Sequence, residues 1–367
     1  MRATVHIGMP KTGTTTLQRT FTANTRLLEE SGILYPSMLS SSSMNHRILA
    51  YYTREPSHYP RHMRRLKNEA VSRDLINEIK FSVDSSLKSR DYAHLVFSAE
   101  SLFYPIQQVK RAPFREFISS LDSSPTFVAY LRSPASFYLA VCQQKLRAST
   151  RLKSLTPPRY YGVLNSYRET FPDSRIRVSL FERKALVNND IVHDFCSKYL
   201  SSSSIDPATL KSISDSNISL SPEAMAASRL YRMAFWSDHD DEHTPGTKKL
   251  INTLRKADRQ LGIKKASLKP EIKQALEAHS ASDLLWLKET HDIVFSDILY
   301  ESLTAKPSLA VELEPSHKPS RLTDIINIDL CRFVSIIDFL RASRFVAERP
   351  ELAAWIRDLK LADLRDL

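Results

Sequence analysis

Glycine is scarce in this chain, with six in 367 residues, so the backbone positions that only glycine tolerates are few and informative. Cysteine is scarcer: Cys142, Cys196 and Cys331 are widely separated and lie in apolar contexts, which excludes a disulfide framework or a clustered metal site and predicts buried thiols. No apolar run approaches the roughly 20 residues of a membrane-spanning helix. The first residues enter a strand pattern without a basic and then apolar leader, so the expected compartment is the cytosol. No internal repeat, zinc-finger spacing or single-strand-binding motif occurs, and nucleic acid is not an expected partner.

The composition that remains, 42% hydrophobic and 25% charged, fits a globular protein of one large domain with appendages or two modest ones. A net charge of +11 favours anionic partners. Basic residues gather at Arg61, Arg64, Arg65 and Lys67, at Lys145, Arg147, Arg151 and Lys153, and at Lys264 and Lys265. Each group is expected on a helix, where a solvated face is its plainest reading.

Two of the six glycines, Gly8 and Gly13, bracket a loop between a short apolar run and a helical pattern. Such a loop brings backbone N–H groups and a helix N-terminus to face an anion. A nucleotide triphosphate loop places Lys directly after its second Gly, whereas here Lys11 precedes Gly13. Three further runs have β character, His94 to Ser98, Phe127 to Leu131 and Ile176 to Phe181, in addition to Ala3 to Ile7. Helical patterns over 14–30, 61–88, 134–150 and 185–200 separate them, which predicts a three-layer α/β core with a parallel sheet. Ligands of such sheets bind beyond the carboxyl ends of the strands. Beyond Ser221-Pro222-Glu223, read as an N-cap with proline at the first helical position, the chain is helical. The expected division is a core over 1–235, a helical portion over 236–303 completing it, a proline-bearing linker over 304–320 and a helical tail over 321–367 that docks on the core or on another subunit as a homo-oligomer contact. The serine runs Ser40 to Ser43 and Ser201 to Ser204 read as loops.

The order Pro10-Lys11-Thr12-Gly13-Thr14-Thr15-Thr16-Leu17-Gln18 resembles the 5′-phosphosulfate loop of sulfotransferases that use 3′-phosphoadenosine-5′-phosphosulfate, PAPS. The unit Phe127 to Arg132-Ser133-Pro134 resembles the family's strand–Arg–x–Pro–helix unit, whose Arg and a Ser eight residues later hold the 3′-phosphate. Here that later position is Ala140, which leaves Ser136, one helical turn earlier, as the substitute. Gly32 to Pro36, Ser98-Ala99-Glu100 and Asn217 to Glu223 also look familiar. The resemblance, to the bacterial-type PAPS-dependent sulfotransferases, runs from residue 3 to about 235. It implies a P-loop-like α/β fold and transfer of a sulfuryl group from PAPS to a hydroxyl or amine of a small-molecule or carbohydrate acceptor, without a catalytic metal.

That chemistry needs charge stabilisation on the departing phosphate oxygen and a base for the acceptor proton. Lys11 is the candidate for the first. Pro10, Thr12, Gly13, Thr14 and Thr15 complete the cradle, with threonine hydroxyls as extra donors, and Arg132 and Ser136 bind the 3′-phosphate. For the base, His46 and Glu100 both qualify: an imidazole at an expected helix start, and a carboxylate at the end of the second β run. Ser98 is an alternative cofactor contact, and Gln143 and Gln144 face either nucleotide or solvent. Asp238 to His243 holds two histidines four apart amid carboxylates but reads as an exposed acidic loop before Pro245-Gly246. Phe137, Tyr138, Tyr160, Tyr161 and Trp236 read as packing residues, one of which could stack on adenine. Two other readings stand beside the transferase: a P-loop kinase or nucleotide hydrolase, and a non-catalytic polyanion-binding module with a degenerate cofactor site.

Overall fold

The computed structural model describes residues 1–37, 46–59, 68–201, 203–213, 219–304 and 317–359. The run Ser40 to Ser43, the cluster Arg61 to Lys67, Asn217 and most of the expected linker lie outside the described residues. Five parallel strands form one sheet in the order β2-β3-β1-β4-β5: β1 Arg2–Gly8, β2 Ile33–Leu34, β3 His94–Ser98, β4 Thr126–Leu131 and β5 Arg175–Leu180. The four expected β runs are present. The fifth strand, Ile33–Leu34, is too short to carry a period and pairs only with His94 and Leu95 of β3.

Around the sheet lie α1 Thr14–Ala23, α2 Thr25–Glu30, α3 Glu69–Ser89, α4 Gln108–Ser119, α5 Pro134–Lys145, α6 Tyr160–Thr170 and α7 Ile191–Tyr199. After them come α8 Pro222–Phe235, α9 Pro245–Gln260, α10 Pro270–His279, α11 Ala281–His291, α12 Glu301–Thr304, α13 Leu330–Arg341, α14 Arg344–Ala347 and α15 Pro350–Asp358. Proline opens α5, α8, α9, α10 and α15, where its missing N–H is no loss. Ser221 caps α8 by accepting from the Ala224 N–H at 3.0 Å, as its sequence implies. The expected helix over 185–200 starts only at Ile191, because the Asp190 carboxylate takes the Val192 and His193 N–H groups. Among the described residues no helix is long and apolar enough to cross a membrane.

Contacts divide the chain into two units. The first comprises Met1–Arg132, Arg159–Asp215 and Asp283–Ser296, and the second Ser133–Pro158, Ser216–Ser282 and Asp297–Leu367. The chain therefore crosses between units several times, unlike the linear division at residue 235. In the first unit the sheet alternates its side chains between two helical layers. Val96, Val128 and Tyr130 pack with Leu17, Phe21, Leu28 and Phe195 from α1, α2 and α7. On the opposite face Phe127 meets Tyr167 of α6 at 4.9 Å between ring centroids, and Phe114 of α4 meets Phe171 at 5.2 Å.

The second unit is helical, with an isolated antiparallel bridge between Leu268 and Ile326. Its core joins Leu230, Leu250 and Leu254 to Phe333, Ile336 and Leu340, so the helices of the expected tail are part of this unit's own core. Two expectations fail here. Arg147, Arg151 and Lys153 follow the end of α5, and Lys264 and Lys265 follow the end of α9, so neither basic group is a helical face. Cys142 and Cys196 are buried as expected, but Cys331 is exposed, because α13 turns Phe333, Ile336, Ile337 and Leu340 inward instead.

Candidate functional site

Because β3, β1, β4 and β5 are parallel neighbours, their carboxyl ends fall in a row, and each delivers a residue to the same edge. After β1 the Met9 N–H donates to the Tyr130 carbonyl at 2.9 Å, which ties the loop to β4. The Thr12 hydroxyl donates to the Met9 carbonyl at 2.6 Å, so it closes the loop on itself and is not the additional anion donor expected of it. Lys11 and Gly13 both hold left-handed backbones, at φ 73° and 74°, and for Lys11 that conformation costs on the order of 1 kcal/mol. Gly13 is required twice over: a Cβ there would lie 3.0 Å from Phe181 Cε2 and 3.3 Å from Ile191 Cγ2. Having no side chain, it leaves α1 without a side-chain cap. The N–H groups of the first turn, through Thr14 and the exposed Thr15, thus remain for an anion.

Arg132 follows β4 and braces this turn. Its Nη1 donates to the Lys11 carbonyl at 2.9 Å, its backbone N–H points at Met9 Sδ at 3.3 Å, and its guanidinium lies 5.6 Å from the centre of the Phe181 ring. The Tyr160 hydroxyl fixes the peptide by donating to the Arg132 carbonyl at 2.5 Å. Strand β3 brings Glu100, the first residue of a 3₁₀ turn, whose Oε2 accepts the Thr14 hydroxyl at 2.6 Å. Gly8 permits this approach, since a Cβ on it would stand 3.3 Å from Glu100 Cα. A carboxylate on the first residue of the loop helix is thereby set beside the uncapped amides.

His46, the other candidate base, is not placed for that role. It is 2% exposed, its Nδ1 accepts the Ser98 N–H at 2.9 Å, and its Nε2–H donates to the Pro36 carbonyl at 2.8 Å. Both ring nitrogens are taken by backbone, and burial pulls its pKa down to about 4. The residue caps a 3₁₀ helix, Arg47–Tyr52, and joins strand to loop. Ser98 is likewise internal: its hydroxyl meets Gln18 Nε2 at 3.2 Å and His6 Nδ1 at 2.8 Å, with no exposure.

The first unit thus brings together Pro10, Lys11, Thr12, Gly13, Thr14, Thr15, Glu100 and Arg132. Ser136 and Ala140 stand on α5 in the second unit, where Gln143 is committed to both backbone groups of Leu220 and Gln144 is exposed. Tyr138 is buried, with its hydroxyl on the Lys153 carbonyl. The segment 238–243 is an exposed loop, and among the described residues no group of three or more His, Cys, Asp or Glu side chains converges on a metal position. Sequence reading missed the bracing by Tyr160 and the wall formed by Phe181, which it took for the end of a strand. A glycine followed by a hydroxyl-rich helix start was the signal for a close wall at Gly13. Nothing local marked Tyr160.

No protein-family model matches the chain, and no curated protein or solved structure matches it.

Proposed function

We propose that the protein is a PAPS-dependent sulfotransferase with a P-loop-like site, transferring a sulfuryl group to a hydroxyl or amine of a small-molecule or carbohydrate acceptor. The observation that carries the reading is the Thr14–Glu100 hydrogen bond of 2.6 Å, which sets a carboxylate on the rim of an anion cradle. The residues fit a bisphosphate donor: Gly13 admits no Cβ, α1 has no side-chain cap, and Lys11 and Arg132 bring two cations to one turn. When bound, PAPS supplies the sulfuryl group and leaves as the bisphosphate.

The roles of the chain's own groups follow from this arrangement. Backbone N–H groups of the loop and first turn hold the 5′-phosphate, and Lys11 balances the charge that accumulates on the leaving oxygen. Glu100 takes the proton of the acceptor O–H or N–H as the new O–S or N–S bond forms and the bond from sulfur to the phosphate oxygen breaks. Thr14 fixes the orientation of that carboxylate. Arg132 spends one donor on the loop, and its charge favours the nucleotide's phosphates.

Calorimetric titration with 3′-phosphoadenosine-5′-phosphate, in parallel with ATP–magnesium, tests the reading on wild type and Arg132→Ala. Micromolar binding of the bisphosphate, weaker for ATP and lost in the variant, is expected. The same hydroxyl–carboxylate pair could serve a magnesium ion in a nucleotide hydrolase, and preferential ATP–magnesium binding would select that reading.

A further inference from the structure

Arg54 lies in the first unit just past the 3₁₀ helix Arg47–Tyr52 and is 6% exposed. A buried guanidinium ordinarily has a carboxylate beside it, because removing an uncompensated charge from water costs several kcal/mol. Here Nη2 donates to the Ser101 carbonyl at 2.8 Å, and the guanidinium carbon lies 4.2 Å from the centre of the Tyr104 ring and 5.9 Å from that of Tyr59. Nε has no hydrogen-bond partner, and among the described residues no Asp or Glu forms an ion pair with it. The segments that flank 46–59 in sequence, 38–45 and 60–67, contain no acidic residue. Burial lowers its pKa from the ordinary arginine value, with only phenols acting in the other direction.

The position of this cation is fixed on both sides. The Gln107 N–H donates to the Thr53 carbonyl at 2.8 Å, and Gln107 Oε1 accepts the Glu55 N–H at 2.7 Å, so the strand of chain carrying Arg54 is stitched to the segment after β3. Ser101, whose carbonyl Arg54 holds, directly follows Glu100. A preorganised cation without an ion-paired carboxylate among the described residues is therefore tied, through the Ser101 carbonyl, to the turn that begins with Glu100. Half-buried Tyr104 offers it a flat apolar neighbour.

We infer that Arg54 is the anion-recognising residue of the acceptor subsite, and that the acceptor carries a carboxylate or sulfate close to the hydroxyl that is modified. The inference rests on the transferase reading for its choice of ligand, but the cation and its missing counter-ion stand independently of it. Neutral hydroxyl compounds leave the guanidinium buried and unpaired, whereas an acidic sugar or hydroxy acid supplies the absent charge.

The test uses the full-length protein and the variants Arg54→Met and Arg54→Lys. Thermal melts with and without glucuronate or inorganic sulfate read the site without reference to turnover. The wild type should gain more melting temperature with either anion than Arg54→Met, which keeps only the gain from the loop cradle and from general salt effects, while the variant's own melting temperature equals or exceeds that of wild type, since an apolar side chain of similar volume replaces a poorly compensated charge. In transfer assays, kcat/KM for a glucuronate-bearing or sulfated sugar over its neutral counterpart should fall by about 30-fold or more in Arg54→Met, through KM. Arg54→Lys should recover part of that selectivity, and bisphosphate affinity should be unchanged in both. The response to glucuronate against sulfate tells which anion the subsite takes. A large drop in melting temperature with selectivity and anion response intact would make Arg54 a structural residue and overturn the proposal. Failure of the wild type to bind bisphosphate while the Arg54-dependent anion response persists would instead remove the transferase reading alone.

Discussion

Two buried arginines separate the regions of this molecule. In the helical unit Arg232 is fully buried, and its guanidinium donates to the His239 and Glu242 carbonyls and to the Thr247 hydroxyl at 2.6, 3.1 and 3.3 Å, with Asp240, Glu242 and Asp241 supplying negative charge nearby. In the α/β unit Arg54 has one carbonyl, two aromatic rings and, among the described residues, no ion-paired carboxylate. The residue type is the same, the burial similar and Nε of each lacks a hydrogen-bond partner, but Arg232 makes three hydrogen bonds beside nearby carboxylates and Arg54 makes one. A guanidinium with most of its bonds made inside the fold holds structure, and one with few made in a rigid frame has donors left for a ligand.

The same contrast runs along β3, where Ser98 is enclosed by His6, Gln18 and His46 and Glu100, two residues on, faces the loop. If the division is sound, disturbing the enclosed groups should change stability and disturbing the edge should change activity. The largest effect should come from pH. Folded His6 and His46 have pKa values of about 4 against an ordinary 6.5, so between these limits the unfolded chain binds more protons. The stability they contribute is complete above pH 6.5 and is lost as pH falls towards 4, by roughly 2 kcal/mol for each histidine at pH 4.5. Urea unfolding at pH 7, 5.5 and 4.5 should follow that slope, and a flat profile would break the assignment of both as enclosed neutral groups.

Next in size, Lys11→Ala should lower kcat by about 10²–10³-fold with bisphosphate still bound and the thermal midpoint nearly unaltered, since alanine keeps a Cβ on the same left-handed backbone. A comparable fall in stability would place Lys11 with the structural groups. Arg232→Met should destabilise by roughly 2 kcal/mol, because two carbonyls and a hydroxyl lose their donor, whereas Arg54→Met should not; equal destabilisation would erase the contrast between the arginines. The smallest effect belongs to Thr14→Val, which frees the Glu100 carboxylate from its one hydroxyl. A kcat reduction of about tenfold with donor affinity nearly constant is expected from lost orientation, measured by initial rates against both substrates.

Much of the fold was legible because its signals are local. Ala3 to Ile7, His94 to Ser98 and Phe127 to Leu131 are continuous apolar runs, and the glycine-bracketed loop and Arg132 each sit where one strand ends. The end of α5, at Lys145 rather than 150, and the start of α7 were less legible, since apolar spacing marks helix ends only loosely and the Asp190 cap sets the start of α7. His46 illustrates the harder failure: its sequence context admits a base equally with a buried link, and only the Ser98 N–H and Pro36 carbonyl, each distant along the chain or across a turn, decide between them.

The sequence by itself determined the glycine-bracketed loop, the parallel α/β character and the basic charge, because glycine placement, hydrophobic period and composition are properties of neighbouring residues. Only the tertiary structure decided that Glu100 meets Thr14 across 86 positions, that both nitrogens of His46 are occupied, and that Arg54 is buried without an ion-paired carboxylate among the described residues. Those outcomes depend on which groups are brought within hydrogen-bonding distance after the strands align, and on how much water is left around them; neither is encoded in any short stretch of chain.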